Sequence, residues 1–369
     1  MSEDSARAAP IHVVIVLPCL DEASVLRATC GSLGFGTDPV SQPADTTLVI
    51  VDNGSTDSTL SIAREVQQCS IPDTVLLAQE PERGYVPPRR TGNLLSCGLA
   101  EANNLDGSRI LILQADADTR YCDGYVEAMR RAATLAGPHA MLEGIAEFRP
   151  DLHERLQSYL HLMAETDERV FSGIALLPED ELICTDAVSA YRLGDYLEWG
   201  GHQREQVENE EIHAETTRLR IRSLPWGGQK ILVEDAVAFP SERKAILRPA
   251  EEFATAGFPR GERWRSAWRR GYSGPATAEE FGEARDHPEV VRAIRVRERH
   301  LLAVFALLPL HAARALGAPP PKVDPGLLRL AASLPARNAS VLTREPGQLI
   351  TDVLHVVDHR PRALDELLG

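Results

Sequence analysis

The chain has 369 residues, 43% of them apolar, which is enough for one large domain or two smaller ones and excludes a disordered or fibrous protein. A formal net charge of −15 argues against broad contact with nucleic acid or an anionic membrane surface. The six cysteines form no Cys-x-x-Cys pair, which favours buried free thiols in a reducing compartment over disulfides or zinc.

The elements are read in chain order. Residues 1–10 are polar, lack the apolar centre of a signal peptide, and are expected to be a disordered tail. Ile11–Leu17 is a β-branched run that predicts a strand, and Glu22–Leu33 carries Val25, Leu26, Thr29 and Leu33 on one helical face. Thr47–Val51, Thr74–Ala78 and Arg109–Leu113 predict further strands. Asp57–Val66 and Arg89–Ala102 predict the helices between them. Strict alternation of this kind implies right-handed crossovers and a parallel sheet with both faces covered. Beyond it, Leu152 to Met163 reads as an amphipathic helix, and Ile183–Arg192 and Lys230–Phe239 as strands. From Ser241 onward the pattern is mainly helical, including Pro288–Leu316, until Ala318-Pro319-Pro320-Pro321 breaks it before a small helical appendage. The best membrane candidate, Leu301 to Leu310, is too short to span and is followed by His311 and Arg314. The expectation is therefore a cytoplasmic protein with no integral membrane segment, without nucleic-acid partners, and compatible with a homodimer.

Polar motifs follow three of the strands: Pro18 to Glu22, Asp52 to Asp57, and Asp116 to Thr119. In an open α/β sheet, ligands bind beyond the carboxyl ends of the strands. Asp116 and Asp118, one residue apart after an aliphatic run, offer the oxygen ligands that hard divalent cations take, and such an ion can hold a diphosphate. Asp52 can accept hydrogen bonds from a base or a ribose. Asn53-Gly54 supplies a tight turn in which glycine tolerates positive φ. Ser55 and Asp57 also suit the cap of the next helix, so capping and ligand binding both remain open there. Arg89 is either a phosphate partner or a solvated residue of a first helical turn.

Together these segments resemble the family 2 glycosyltransferases of the GT-A fold. The resemblance is carried by Val16-Leu17-Pro18-Cys19-Leu20-Asp21-Glu22, by Val51-Asp52-Asn53-Gly54-Ser55-Thr56-Asp57, and by Asp116-Ala117-Asp118. Gly84-Tyr85-Val86-Pro87-Pro88-Arg89-Arg90-Thr91-Gly92 adds a fourth segment, with Arg89 at the family's arginine position; Asp21 stands where that family usually has Asn. The resemblance covers residues 11–125 and implies a Rossmann-like, mostly parallel sheet flanked by helices, with a helical C-terminal region. Residues 11–125 would form the nucleotide-sugar half, 126–257 the acceptor half, and 258–369 the helical region. It also implies an inverting transfer of a sugar from a nucleotide donor, UDP-linked by preference, to a hydroxyl acceptor such as a small metabolite. Pro18, Leu20, Glu22, Asp52, Asn53, Gly54, Arg89, Asp116, Ala117 and Asp118 would contact the donor. Asp118, with Asp116, would hold Mn2+ or Mg2+.

Inversion needs a base, which this family places as Asp in a Glu-Asp pair after a Gly-Gly segment. Gly200-Gly201 is followed here by Glu208-Asn209-Glu210-Glu211, so Glu211 is the first candidate and Glu210 the second, with Asp186 a rival. Glutamate in place of aspartate keeps open a non-catalytic scaffold that retained the fold. A sugar nucleotidyltransferase is the weaker alternative, because Leu17 to Asp21 lacks a Gly-rich loop ending in Arg. No Gly-x-Gly-x-x-Gly follows the first strand, which disfavours a nicotinamide enzyme.

Overall fold

The computed structural model describes residues 11–36, 42–173, 181–207, 210–319 and 322–368. The residues 1–10, read above as a tail, lie outside them. The chain divides into two compact units. The first comprises Met1–Ala146, Asp186–Gly201 and Ile231–Ala238; the second comprises Glu147–Thr185, His202–Lys230 and Phe239–Gly369.

The strands are β1 (His12–Cys19), β2 (Thr46–Asp52), β3 (Val75–Gln79), β4 (Ile110–Gln114), β5 (Arg120–Tyr121), β6 (Ala140–Ala146), β7 (Ser189–Arg192), β8 (Gln206–Val207), β9 (Glu210–Glu211) and β10 (Gln229–Phe239). Eight of them form one sheet in the order β3-β2-β1-β4-β7-β6-β10-β5. The first four run parallel, β7 runs antiparallel to β4, and β6 antiparallel to β7. The parallel half is the Rossmann-like α/β arrangement expected from the alternation of elements, and the antiparallel β7 makes the whole sheet mixed.

Side-chain parity shows why both faces are covered. Val13, Ile15, Leu17 and Cys19 of β1, with Leu48 and Ile50 of β2 and Leu111 and Leu113 of β4, share one core. Three helices, α1 (Leu26–Ser32), α2 (Thr59–Cys69) and α4 (Tyr125–Leu135), supply Leu26, Cys30, Ala63, Val66, Tyr125 and Met129 to that core. Successive strand residues point to opposite faces, so Val16, Val51 and Gln114 face the other way. There they meet α3 (Val86–Ala102), where a Cβ on Gly92 would lie 2.4 Å from Val16 Cγ1 and 3.3 Å from Val51 Cγ2. Helix α3 begins earlier than predicted because Pro87 and Pro88 sit in the first turn, where a missing N–H breaks no helical bond.

The sheet also accommodates Pro18. The Val16 carbonyl accepts the Ala115 N–H, so by alternation Pro18 faces the β4 side. Strand β4 ends at Gln114, opposite Val16, and no ladder carbonyl is left for the proton that proline lacks. The predicted strand Ile183–Arg192 shrinks to β7 preceded by a 3-10 turn, Asp186–Val188. Part of the reason is that the Cys184 N–H is taken by Thr217 Oγ1 at 3.1 Å. Of the six free thiols, Cys19, Cys30 and Cys184 are buried, whereas Cys69 is exposed.

The second unit is mainly helical. One core gathers Leu152, Leu156, Tyr159, Phe253, Phe281 and Val290. Another gathers Leu302 to Leu310 with Leu327, Leu342, Leu349, Val353 and Leu364, so the segment after the proline run shares a core with the long helix before it. That helix, Pro288–Leu316, is long and apolar enough to cross a membrane, but 67% of its most apolar window is buried within the protein. Its bounds are those read from the sequence, and the run Leu301 to Leu310 is its most apolar part. A π turn at Leu302–Leu307 precedes Pro309, whose ring and missing N–H disturb the preceding helical bonds. Glu205, 8% exposed, is the ionic hub of this unit. It accepts from Arg218 (2.9 Å), Arg222 (2.8 Å) and the Gly347 N–H (2.6 Å).

Two outcomes follow from this packing. Gly92→Ala forces a methyl into Val16, and overpacking of this kind costs about 1–3 kcal/mol, read as a lowered unfolding midpoint of the purified protein. The buried His300 accepts from Arg260 at 2.7 Å, and burial, then the Arg260 charge, depress its pKa to about 3. Because the unfolded imidazole titrates near 6.5, the unfolded chain takes up the proton first, and this contribution is full above that pH and lost as pH falls toward 3. The Tm should drop between pH 7 and pH 5, with a limiting slope of about 1.4 kcal/mol per pH unit from this group, and His300→Gln should flatten that slope.

Candidate active site

Strands β1, β2 and β4 are adjacent and parallel, so their carboxyl ends open on one edge. Parallel strands lie about 4.8 Å apart, which puts the ends of β2 and β4, one on each side of β1, about 10 Å apart. Three loops meet there: Pro18 to Glu22, Asp52 to Gly54 and Asp116 to Thr119. All ten donor-contact candidates belong to the first unit.

The β1 and β2 loops are latched together. Asp21 has φ 56°, a left-handed conformation that Asp and Asn tolerate better than most residues, and this suits it to the place where the resembling family has Asn. Its Oδ1 accepts from the Thr56 N–H (2.7 Å) and Thr56 Oγ1 (3.2 Å), while its own N–H donates to Ser55 Oγ (3.0 Å). The Glu22 N–H donates to Thr59 Oγ1 at 2.8 Å. Leu20 is exposed and Pro18 half-buried. Asp52, buried at the strand end, accepts the Ser55 N–H at Oδ1 (3.1 Å). Asp57 is drawn into the start of α2 by Thr59, whose hydroxyl (2.5 Å) and N–H (2.9 Å) both donate to its Oδ1; that bonding, the hydroxyl first, holds its carboxyl below the usual range.

Asn53 is wholly engaged. Its Nδ2 donates to the Glu80 (2.8 Å) and Glu82 (2.7 Å) carbonyls, and its Oδ1 accepts the Gly84 N–H (3.3 Å). It therefore fixes the loop that leads into α3. Gly54, at φ 77°, turns its carbonyl to Arg83 Nη2 at 2.6 Å.

Arg89 is not a solvated first-turn residue. Its side chain is 6% exposed, with Nη1 donating to Gln114 Oε1 (3.0 Å) and Nη2 to Asp116 Oδ1 (2.5 Å). Gln114 Nε2 in turn donates to Asn93 Oδ1 (2.7 Å) and the Tyr191 hydroxyl (2.8 Å). Burial drives the Tyr191 phenol far above its usual range, and Asp186, among the lesser contributors, raises it further. Asn93, Gln114 and Tyr191 were not singled out from sequence. The parity that turns Gln114 away from the α1/α2/α4 core was the one available signal.

The aspartate loop is held from the other side. The Asp116 N–H donates to Tyr121 Oη (3.1 Å), whose own proton goes to the Ala187 carbonyl (2.9 Å). The Ala117 carbonyl accepts from Thr29 Oγ1 (2.8 Å), and the Thr119 N–H closes a turn onto the Asp116 carbonyl (3.1 Å). Asp116 and Asp118 are left half-exposed at the sheet edge. Their donor atoms are all carboxylate oxygens, a set that fits a hard divalent cation such as Mn2+ or Mg2+. The field at this edge is negative: after burial, the charges of Asp52, Glu22 and Asp57 push the Cys19 thiol up. A diphosphate would meet repulsion there without a bridging cation.

The base candidates are placed differently. Asp186 lies in the first unit, in the 3-10 turn leading to β7. Glu210 and Glu211 form β9 of the second unit, paired with β8 rather than standing at a helix N-terminus. Glu210 Oε1 accepts the Arg263 N–H (3.0 Å) at the start of the helix Glu262–Gly271, and its Oε2 would lie 2.6 Å from a Cβ at Gly261. Glu211 Oε2 accepts from Arg204 (2.7 Å), while its Oε1 is buried without a hydrogen bond among the described residues. Glu208 and Asn209 lie outside the described residues. Trp264 and Trp268 stack on each other at 5.4 Å, with Trp268 packed against a core.

No protein-family model and no curated protein matches the sequence. Solved structures do align. A mannosyltransferase, PcManGT from Pyrobaculum calidifontis in complex with GDP-Man and Mn2+, is 17% identical over 98% of this chain and 86% of its own, with a TM-score of 0.46. S. aureus TarS 1-349 in complex with UDP is 12% identical over 96% and 91%, with a TM-score of 0.43. GalNAc-T7 with UDP, GalNAc and Mn2+ is 12% identical over 96% of this chain and 59% of that one, with a TM-score of 0.42.

The buried pair can be tested directly. Arg89→Met leaves Gln114 and Asp116 without their charged donor. Bonds to charged groups are worth about 1.5–3 kcal/mol, so a Tm loss of that order is expected, while Arg90→Met, on an exposed neighbour, should leave the Tm unchanged.

Proposed function

We propose that this protein is a metal-dependent, inverting glycosyltransferase that moves a hexose from a nucleotide diphosphate donor, UDP-linked by preference, to a hydroxyl acceptor. The observation that carries this reading is the placement of Asp52 and of the Asp116–Asp118 loop at the ends of β2 and β4, on either side of β1. These are the positions of the motifs by which the sequence resembles family 2 glycosyltransferases. In this reading Asp52 receives the base or ribose, and the exposed Gly54 turn lets the donor approach the backbone. Arg89 pairs with Asp116 and aims it rather than holding the diphosphate itself.

Asp118 and Asp116 would hold the Mn2+ or Mg2+, whose chemistry is to neutralise the charge that develops on a departing diphosphate. The acceptor hydroxyl must lose its proton as its oxygen attacks the anomeric carbon from the face opposite the leaving group. Glu211 is the first candidate for that proton because its buried Oε1 has no partner among the described residues. Glu210 is weakened by its engagement with the Arg263 N–H. Asp186 is favoured by a separate observation: it is the candidate base that the first unit itself supplies, and it is near enough to perturb Tyr191.

A panel of UDP-, GDP- and dTDP-sugars in thermal unfolding, with and without Mn2+, identifies the donor, since a ligand of the folded state raises its Tm. The expected result is a Mn2+-dependent shift with one nucleotide class, abolished by Asp118→Ala. Loss of a metal-bound diphosphate stabiliser should reduce transfer by about 100-fold or more. Glu211→Gln should keep the donor-induced shift and lose transfer. If Asp186→Asn does so instead, the base is Asp186. Equal donor binding by wild type and Asp118→Ala would overturn the reading.

A further inference from the structure

A second group of potential ligands lies away from the aspartate loop. His139 Nδ1 is 3.5 Å from Asp195 Oδ1, and His139 Nε2 is 3.7 Å from Glu198 Oε2. One ligand atom from each residue can be chosen so that all lie within 4.8 Å of one another. All three residues belong to the first unit.

Their place in the fold separates them from the candidate active site. His139 immediately precedes β6, and Asp195 and Glu198 lie on the helix Leu193–Glu198 that follows β7. Because β7 is antiparallel to β4, Arg192 pairs with Leu111 at the start of β4, whereas Asp116 and Asp118 follow its end. At about 3.3 Å per residue the two groups are separated by about 15 Å along the strand direction.

The group is held open from outside. His139 has φ 59°, a left-handed conformation in which His is enriched. Arg192 fixes the turn before it, donating to the carbonyls of Ala133 (2.6 Å), Ala136 (2.9 Å) and Gly137 (2.7 Å). Asp195 is only 7% exposed, yet among the described residues its Oδ2 has no hydrogen-bond partner, and His139 Nδ1 is likewise buried without one. Buried polar atoms are ordinarily paired, so two orphans in one cluster point to a missing third party.

We propose that His139, Asp195 and Glu198 form a second divalent-cation site, independent of Asp116 and Asp118, that takes Zn2+ in preference to Mn2+. One imidazole and two carboxylates make a mixed N/O donor set of intermediate softness, for which Zn2+ outranks Mn2+ in affinity. Ligands about 2.1 Å from an ion sit roughly 3.0–3.5 Å apart, so the three ligand atoms, within 4.8 Å of one another, need to draw in only slightly. Glu198, with 59% of its side chain exposed, is the ligand that can swing inward to complete the set. The site would tie the entry of β6 to the helix after β7. Three protein ligands leave a position for water, so the ion would act as a structural clamp with an open coordination position.

The test uses the full-length chain carrying Asp116→Ala and Asp118→Ala, which removes the other cation candidates. Calorimetric titration with ZnCl2 should show one equivalent, accompanied by a rise in Tm, and MnCl2 should bind more weakly. His139→Gln added to this background should abolish binding. Glu198→Gln, at an exposed position that poses no risk to folding, should weaken it about tenfold or more. Co2+ substitution should give a visible spectrum of N/O ligation that both variants lose. The inference is overturned if the parent binds no Zn2+, or if Glu198→Gln and His139→Gln titrate as the parent does.

Discussion

The guanidinium of Arg89, buried between the Gln114 amide and the Asp116 carboxylate, is the interaction on which the candidate site depends. A charged group can remain inside a protein only when paired and hydrogen-bonded. Here the pairing sets the position of the aspartate loop. Arg89 reaches Asp116 because α3 lies directly on β1, and α3 lies there because residue 92 has no side chain. The absence of a Cβ at residue 92 thus lets the cation three residues before it reach the end of β4.

The loops around that pair are held mostly by hydrogen bonds from their own polar side chains. Asp21 latches the β1 loop to the β2 loop, Asn53 fixes the approach to α3, and Tyr121 and Thr29 hold the Asp116–Thr119 turn from below. Such bonding keeps the two half-exposed aspartates in place before any ligand arrives. Preorganised charge of this kind does most of its work when it need not reorganise during a reaction. The same polar residues that read as ligand contacts in sequence thus serve as each other's supports.

Much of the first unit was legible in the chain itself. Aliphatic runs separated by amphipathic helices gave the parallel half of the sheet, with boundaries displaced by one or two residues because strands extend to wherever a neighbour supplies a partner. The antiparallel β7 was not legible, since a short apolar run carries no sign of direction. Neither was Arg89's burial, because a first-turn arginine has the same local pattern whether it is solvated or paired. Of the glutamate pair, Glu210 meets the start of a helix more than fifty residues onward, a contact no local periodicity can encode.

The amino-acid order alone determined that several carboxylates would stand at the ends of buried strands, because hydrophobic periodicity places strands and parallel crossovers place their ends together. Tertiary structure alone decided which partners those groups would find. Arg89 with Asp116, Gln114 with Tyr191, and His139 with Asp195 are juxtaposed by strand register and helix packing. Side-chain chemistry is written residue by residue, whereas distances between remote residues exist only after the sheet has closed around its core.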